Sequence, residues 1–341
     1  MNSTELNRIA TAMVARGKGI LAADESTGTI QKRFDAIGVT NTEDNRRDYR
    51  ELLFRSEAAM RQYISGVILF DETIRQKAKD GTRLVELIER AGSIPGIKVD
   101  AGAKPLALCP GETVTEGLDG LGPRLVEYRK LGARFAKWRA VIDIGVGIPS
   151  ATAVRANAHA LARYAALCQE HDIVPIVEPE VLMDGDHDIG RCAEVTEFVL
   201  GQTFAELHAQ RVMLEGMVLK PNMVIAGKKC AKQGRTEEVA ERTLVVLKRC
   251  VPAAVPGIAF LSGGQSDQEA TAHLNAMVAG STLPWALTFS YGRALQAAPQ
   301  KAWSGKADNT ARAQAAFAHR ARMNGLASKG EWKTELEKEA A

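Results

Sequence analysis

The 341-residue sequence predicts an α/β fold, a (β/α)8 TIM barrel in a single domain spanning 1–341, on three observations. Short apolar runs suited to buried parallel strands recur eight times, roughly every 30 to 45 residues. Segments of helical period lie between them, and alternation of strand, helix and strand is the mark of a parallel sheet. No Pro-, Gly- or Ser-rich linker interrupts the rhythm, and a count of eight favours closure into a barrel over an open sheet.

The chain opens with MNSTELNRIATAMVARGKG, in which polar residues break every apolar stretch, so no secretory leader is expected there. The first strand, GILAAD (19–24), ends on Asp24, and Thr40-x-x-Glu43 then opens a helical stretch with capping-box spacing. SGVILFDE (65–72) is the second strand and GIKVD (96–100), carrying Lys98, the third. The fourth, ARFAKWRAVI (133–142), carries Lys137 and Arg139. PSATAVRANAHALARYAALCQEH follows as the clearest helix: Val154, Ala158, Leu161, Ala165 and Cys168 share one face behind Ser150, the N-cap candidate. IVPIVEPE (173–180) is the fifth strand, ending on Glu178 and Glu180. In the sixth, GMVLKP (216–221), Met217, Val218 and Leu219 lead into Lys220, and Pro221 disfavours helical geometry at that lysine. GIAFLSGG (257–264) and ALTFSYGR (286–293) complete the set. From about residue 300 to 341 a C-terminal helical region, with patterns such as NTARAQAAFAHRARMN, gives way to the polar ASKGEWKTELEKEAA, expected to be a loosely held tail.

Composition narrows the function classes. With 45% hydrophobic and 25% charged residues the chain reads as an ordinary soluble globular protein, and a net charge of +3 is too small to argue for nucleic acid. The densest basic run, KKCAKQGR (228–235), reads as a solvated loop. No segment reaches the ~18 to 20 apolar residues that cross a bilayer. Five cysteines, at 109, 168, 192, 230 and 250, include no C-x-x-C pair, which suits reduced thiols in a cytoplasm.

In parallel barrels the active site gathers at the C-terminal strand ends. Here those ends carry Asp24, Lys98, Lys137, Arg139, Glu178, Glu180, Lys220, Ser262, Ser290 and Arg293, a ring rich in ionisable groups. A nucleophilic amine must be deprotonated, and desolvation and neighbouring cations both help it lose its proton. Lys220 has the most apolar lead-in and is the candidate Schiff-base amine. Glu178 and Glu180, two apart, share a face if the strand stays extended. They are candidates for proton transfer while a carbinolamine loses water, or for a structural ion cluster with Lys137 and Arg139, and both roles are compatible. After the last two strands, SGGQS (262–266) and SYGR (290–293) offer backbone N–H groups, hydroxyls and a guanidinium to a phosphate.

Two other motifs are weak. IGVGIPSA (144–151) has Ser150 at the third glycine position of a dinucleotide fingerprint. DGDHD (184–188) starts like a calcium loop, but Ile189 and Val195 stand where glycine and glutamate are required, so a solvated loop is expected there. A metal-dependent barrel using that acidic loop, and a silent sugar-phosphate-binding scaffold, are the rival readings.

The segments LAADESTGT (21–29), GVILFDET (66–73), GIKVD (96–100), FAKWRAV (135–141), IVPIVEPE, LEGMVLKPNMV (214–224), FLSGGQS (260–266) and PWALTFSYGRALQ (284–296) resemble class I fructose-bisphosphate aldolase. The likeness runs from about Gly17 to the region of Trp303. It implies reversible cleavage of fructose 1,6-bisphosphate, a small sugar phosphate, to dihydroxyacetone phosphate and glyceraldehyde 3-phosphate, with no metal or other cofactor, by a cytoplasmic homotetramer. By motif position Lys220 matches the Schiff-base lysine, Glu178 the general acid/base, Asp24 the carboxylate for the C4 hydroxyl proton, and Lys137 the cation assisting carbinolamine formation. Ser262, Gly263, Gly264, Ser290, Gly292 and Arg293 match phosphate-binding positions. Ser26, Arg33, Lys98 and Arg139 match further substrate contacts toward the other phosphate. Animal members end in a tyrosine that visits the active site, whereas no tyrosine follows Tyr291 here, and Thr29 stands where a serine is common.

Overall fold

Eight parallel strands close into a barrel in chain order in the computed structural model, which describes residues 1–338. They are β1 (Gly19–Ala23), β2 (Ile64–Leu69), β3 (Ile94–Lys98), β4 (Phe135–Ile142), β5 (Val174–Val181), β6 (Val218–Leu219), β7 (Gly257–Phe260) and β8 (Ala286–Tyr291). Each coincides with one of the apolar runs, because strands buried on both faces need continuous rather than alternating hydrophobicity. Neighbouring registers set the chemistry side by side: Lys98 lies opposite Lys137, Arg139 opposite Glu178, and Val141 opposite Glu180. The ladder runs one residue past β6, since Lys220 N donates to Val177 O at 2.8 Å.

Helices cover the outside of the strands. The helix Ala151–Glu170 is capped as the sequence implies, Ser150 Oγ accepting from Ala153 N at 3.1 Å. The helix Glu43–Phe54 instead starts from Thr42, whose hydroxyl accepts from Asn45 N. Thr40 lies two residues too early, and its carbonyl takes the Asn45 side-chain amide.

The amphipathic helix Ser3–Met13 closes the N-terminal end of the barrel. Its Leu6, Ile9, Ala10 and Met13 pack with Ile20, Ile68, Phe135, Val174, Ile176 and Val218 in one interior apolar cluster. A second, larger cluster lies between strands and outer helices. Gly96 belongs to the interior packing: a Cβ there would stand 2.2 Å from the Phe135 ring. One end is thereby sealed with hydrocarbon, and the polar strand ends are left at the other.

After β8 come helices Arg293–Trp303 and Thr310–Ala327 and a short 3-10 turn, Thr334–Lys338. The stretch expected to be loose is tied down as far as it is described. Trp332 N donates to Asn275 Oδ1 at 2.9 Å, Trp332 Nε1 donates to Glu337 Oε1 at 3.0 Å, and Glu337 also pairs with the buried Arg320. Residues 339–341 of the expected tail lie outside the described residues. No described helix is long and apolar enough to cross a membrane.

Candidate active site

Every residue singled out from the sequence lines one cavity of about 450 Å³ at the C-terminal mouth: Asp24, Ser26, Arg33, Lys98, Lys137, Arg139, Glu178, Glu180, Lys220, Ser262, Gly263, Gly264, Ser290, Gly292 and Arg293. The barrel brings them together, since all but Arg33 lie on a strand or within four residues of its end, and Arg33 reaches the mouth from the helix Thr27–Asp35 that follows β1.

Two buried lysines share one carboxylate at the floor. Lys220 Nζ is 3.1 Å from Glu178 Oε1, and Lys137 Nζ is 3.5 Å from Glu178 Oε2. Lys137 also lies 2.7 Å from Asp24 Oδ2 and 3.9 Å from Asp100 Oδ2. Burial alone would lower the Lys137 ammonium, yet Asp24, Glu178 and Asp100 outweigh it and hold it far above the ordinary lysine value. Burial likewise pushes the Asp24 carboxyl up, but Lys137 and Lys220 together pull it well below the carboxylate range. Lys137 is thus a fixed cation and Asp24 a fixed anion at neutral pH. Their charges are set by each other more than by solvent.

Glu180 differs. Burial and the nearby Glu178 raise its pKa despite the Arg139 guanidinium hydrogen-bonded to it. A carboxyl that holds its proton more tightly than an ordinary glutamate is suited to donate one. Lys98 Nζ contacts Asp100 Oδ1 at 2.9 Å, so the lysines on β3 and β4 are bridged by one aspartate.

The cradle follows β7 and β8. Gly263 and Gly264 have φ of +57° and +82°, conformations that favour glycine and turn the backbone N–H groups of a short loop toward an anion. Helices Asp267–Val278 and Arg293–Trp303 start directly beyond these loops, which adds favourable N-terminal dipoles. Ser290 Oγ is buried with no hydrogen-bond partner among the described residues, a donor free for a ligand oxygen. Arg33 Nη2 lies 3.5 Å from where a Cβ on Gly292 would stand, so that guanidinium borders the same cradle.

Several wall residues escaped the sequence reading. Glu25, buried, binds Arg33 through Oε1 and Arg50 through Oε2, the latter at 2.7 Å, and accepts from Gln296 Nε2 at 2.8 Å. Asp100 closes GIKVD and could have been read as a strand-end charge. The acidic loop is not uniformly solvated: His187 is 9% exposed, and neither ring nitrogen has a partner among the described residues. Its interior position follows from backbone pairing of that loop with residues 227–229. No group of three or more His, Cys, Asp or Glu among the described residues is arranged to hold a metal ion.

Comparison with known proteins gives one answer. The profile of the glycolytic family of class-I fructose-bisphosphate aldolases matches residues 5–341. A probable fructose-bisphosphate aldolase class 1 of Xanthomonas campestris pv. campestris is 60% identical over 334 residues, covering 98% of this chain and 100% of the relative. Fructose-bisphosphate aldolase C of Carassius auratus is 54% identical, covering 96% and 91%. Among solved structures, fructose-bisphosphate aldolase from Plasmodium falciparum, crystallised with TRAP and a small-molecule inhibitor, superposes with a TM-score of 0.95 at 49% identity, covering 97% and 96%.

Proposed function

The chain belongs to the class-I fructose-bisphosphate aldolase family, and from that premise we propose which residues of its barrel mouth carry each step of the reaction. The reaction is reversible retro-aldol cleavage of fructose 1,6-bisphosphate to dihydroxyacetone phosphate and glyceraldehyde 3-phosphate through a lysine Schiff base. Lys220 is the amine, and the observation that carries this is its 4% exposure within hydrogen-bond reach of Glu178.

Glu178 takes the proton that the Lys220 ammonium must lose, and the free amine attacks the C2 carbonyl. The carbinolamine hydroxyl then leaves as water, with Glu178 returning a proton and Glu180 as the second acid on the same strand face. Lys137 steadies the developing oxyanion with a charge it does not lose. Asp24 accepts the C4 hydroxyl proton as the C3–C4 bond breaks, and the bonding pair moves into the iminium to give an enamine. Glyceraldehyde 3-phosphate leaves; protonation of the enamine at C3 and hydrolysis of the imine release dihydroxyacetone phosphate and restore the amine. A protonated imine is a far better electron sink than a neutral ketone, which is the gain from covalent chemistry here.

Ser262, Gly263, Gly264, Ser290, Gly292 and Arg293 hold one phosphate. Ser26, Arg33, Lys98 and Arg139 serve the sugar hydroxyls and the other phosphate. The whole chain acts as one domain, and the family resemblance supports a homotetramer working in the cytoplasm. Turnover of fructose 1,6-bisphosphate by purified Lys220→Ala protein tests the assignment: cleavage should vanish, and full activity would remove the role given to Lys220.

A further inference from the structure

Two stretches that the reaction leaves without a task, the basic run starting at Lys228 and the acidic loop 184–188, meet beside the phosphate cradle. Backbone bonds lock them together: Lys228 N donates to Met183 O at 2.7 Å, Lys229 N to Gly185 O at 3.0 Å, and Gly227 N to His187 O at 2.8 Å. The approach is so close that a Cβ on Gly227 would stand 2.2 Å from Gly185 O. Lys228 is therefore anchored at its backbone, and its side chain runs along the cavity wall. The point that a Cβ on Gly264 would occupy is 2.8 Å from Lys228 Nζ and 3.6 Å from Arg293 Nη1. An ammonium and a guanidinium flank the same open glycine.

At rest this ammonium sits 2.7 Å from Asp184 Oδ1, with the two side chains 41% and 60% exposed. An ion pair so open to water is easily exchanged. A phosphate dianion carries more charge than a carboxylate and accepts more hydrogen bonds, so it competes well for the same ammonium. We propose that Lys228 is a further substrate-binding residue of this enzyme, leaving Asp184 to contact the phosphate seated on Ser262, Gly263, Gly264 and Arg293. Asp184 is its resting counter-ion, and the 184–188 loop is the scaffold that aims it. The proposal rests on the assignment of that cradle to a substrate phosphate. Two segments that read from sequence as solvated loops thus acquire a shared role.

The test is kinetic, on purified Lys228→Met and Asp184→Asn proteins. For Lys228→Met, KM for fructose 1,6-bisphosphate and the inhibition constant of inorganic phosphate should both rise about three- to tenfold, the range expected for one partly exposed charged contact. The kcat should stay within about twofold, as for a contact made equally in ground and transition states. Asp184→Asn, which frees the ammonium, should lower the inorganic phosphate constant. Wild-type KM and phosphate constants in Lys228→Met would overturn the proposal and leave a surface ion pair joining two loops. Borohydride trapping with dihydroxyacetone phosphate on the same samples separates the two failures. Label on Lys220 with unchanged constants sinks only the role of Lys228, whereas no label in the wild type sinks the parent assignment.

Discussion

Lys220 Nζ lies 3.1 Å from Glu178 Oε1, and both side chains are about 95% buried where β5 and β6 end. One carboxylate thus faces the amine that must lose a proton, and its second oxygen faces Lys137. The arrangement separates two jobs that a single lysine could not do, holding a permanent cation and supplying a nucleophile.

Glu178→Gln removes the proton acceptor while keeping the shape. The kcat for fructose 1,6-bisphosphate should fall by about 10²- to 10⁴-fold, with little change in KM. Single-turnover imine formation and hydrolysis, followed by rapid quench, should slow together. Unchanged single-turnover rates would count against Glu178.

Lys137→Met should destabilise the fold as well as abolish activity. It leaves Asp24, Glu178 and Asp100 without their shared cation in a buried site, at a cost of about 3 to 5 kcal/mol near neutral pH. The sign with pH follows from Asp24, whose folded pKa is depressed below the ordinary 3.8. Its contribution is fully present above that value and is lost as pH falls through the folded value. Urea unfolding should therefore show the widest gap between wild type and variant around neutrality, narrowing as acid is added below 3.8. A gap that widened in acid would contradict the assignment.

Glu180 runs the other way. Its pKa is raised above the ordinary 4.5 by burial and by Glu178, against the pull of Arg139. A raised acid contributes stability that is complete below the unfolded value and is lost as pH rises through the folded one. The stability of wild type relative to Glu180→Gln should accordingly decline as pH rises from 4.5 toward neutrality. A flat difference across urea midpoints in that window would show that Arg139 prevails.

Gly264→Ala tests the cradle. The φ of +82° disfavours any side chain, and the added methyl would fall 2.8 Å from the Lys228 ammonium. Stability should drop by about 1 to 2 kcal/mol, and KM for the bisphosphate should rise about tenfold as the backbone contact loosens. A crystal of the variant with phosphate bound as before would contradict this.

The barrel was legible because strands buried on both faces leave uninterrupted apolar runs, and a closed cylinder turns eight separate strand ends into one ring. Lys220, Glu178 and Asp24 could be read from that rule alone. The rule does not reach residues whose partners come from elsewhere in the chain. Glu25 touches Arg50 and Gln296, which no sequence spacing relates to it. Lys228 sits in a run that looks like solvated charge, and only pairing with the loop after β5 turns it toward the cradle. The shift of the helix cap from Thr40 to Thr42 has a similar origin, since neighbouring threonines present the same chemistry and backbone geometry chooses between them.

The most direct measurement is borohydride reduction in the presence of dihydroxyacetone phosphate, followed by peptide mass spectrometry. The stable adduct is expected on the peptide holding Lys220 and nowhere else, and it should be absent from Lys220→Ala protein. An adduct on Lys137, Lys98 or Lys228, or undiminished labelling of the Lys220→Ala protein, would contradict the account.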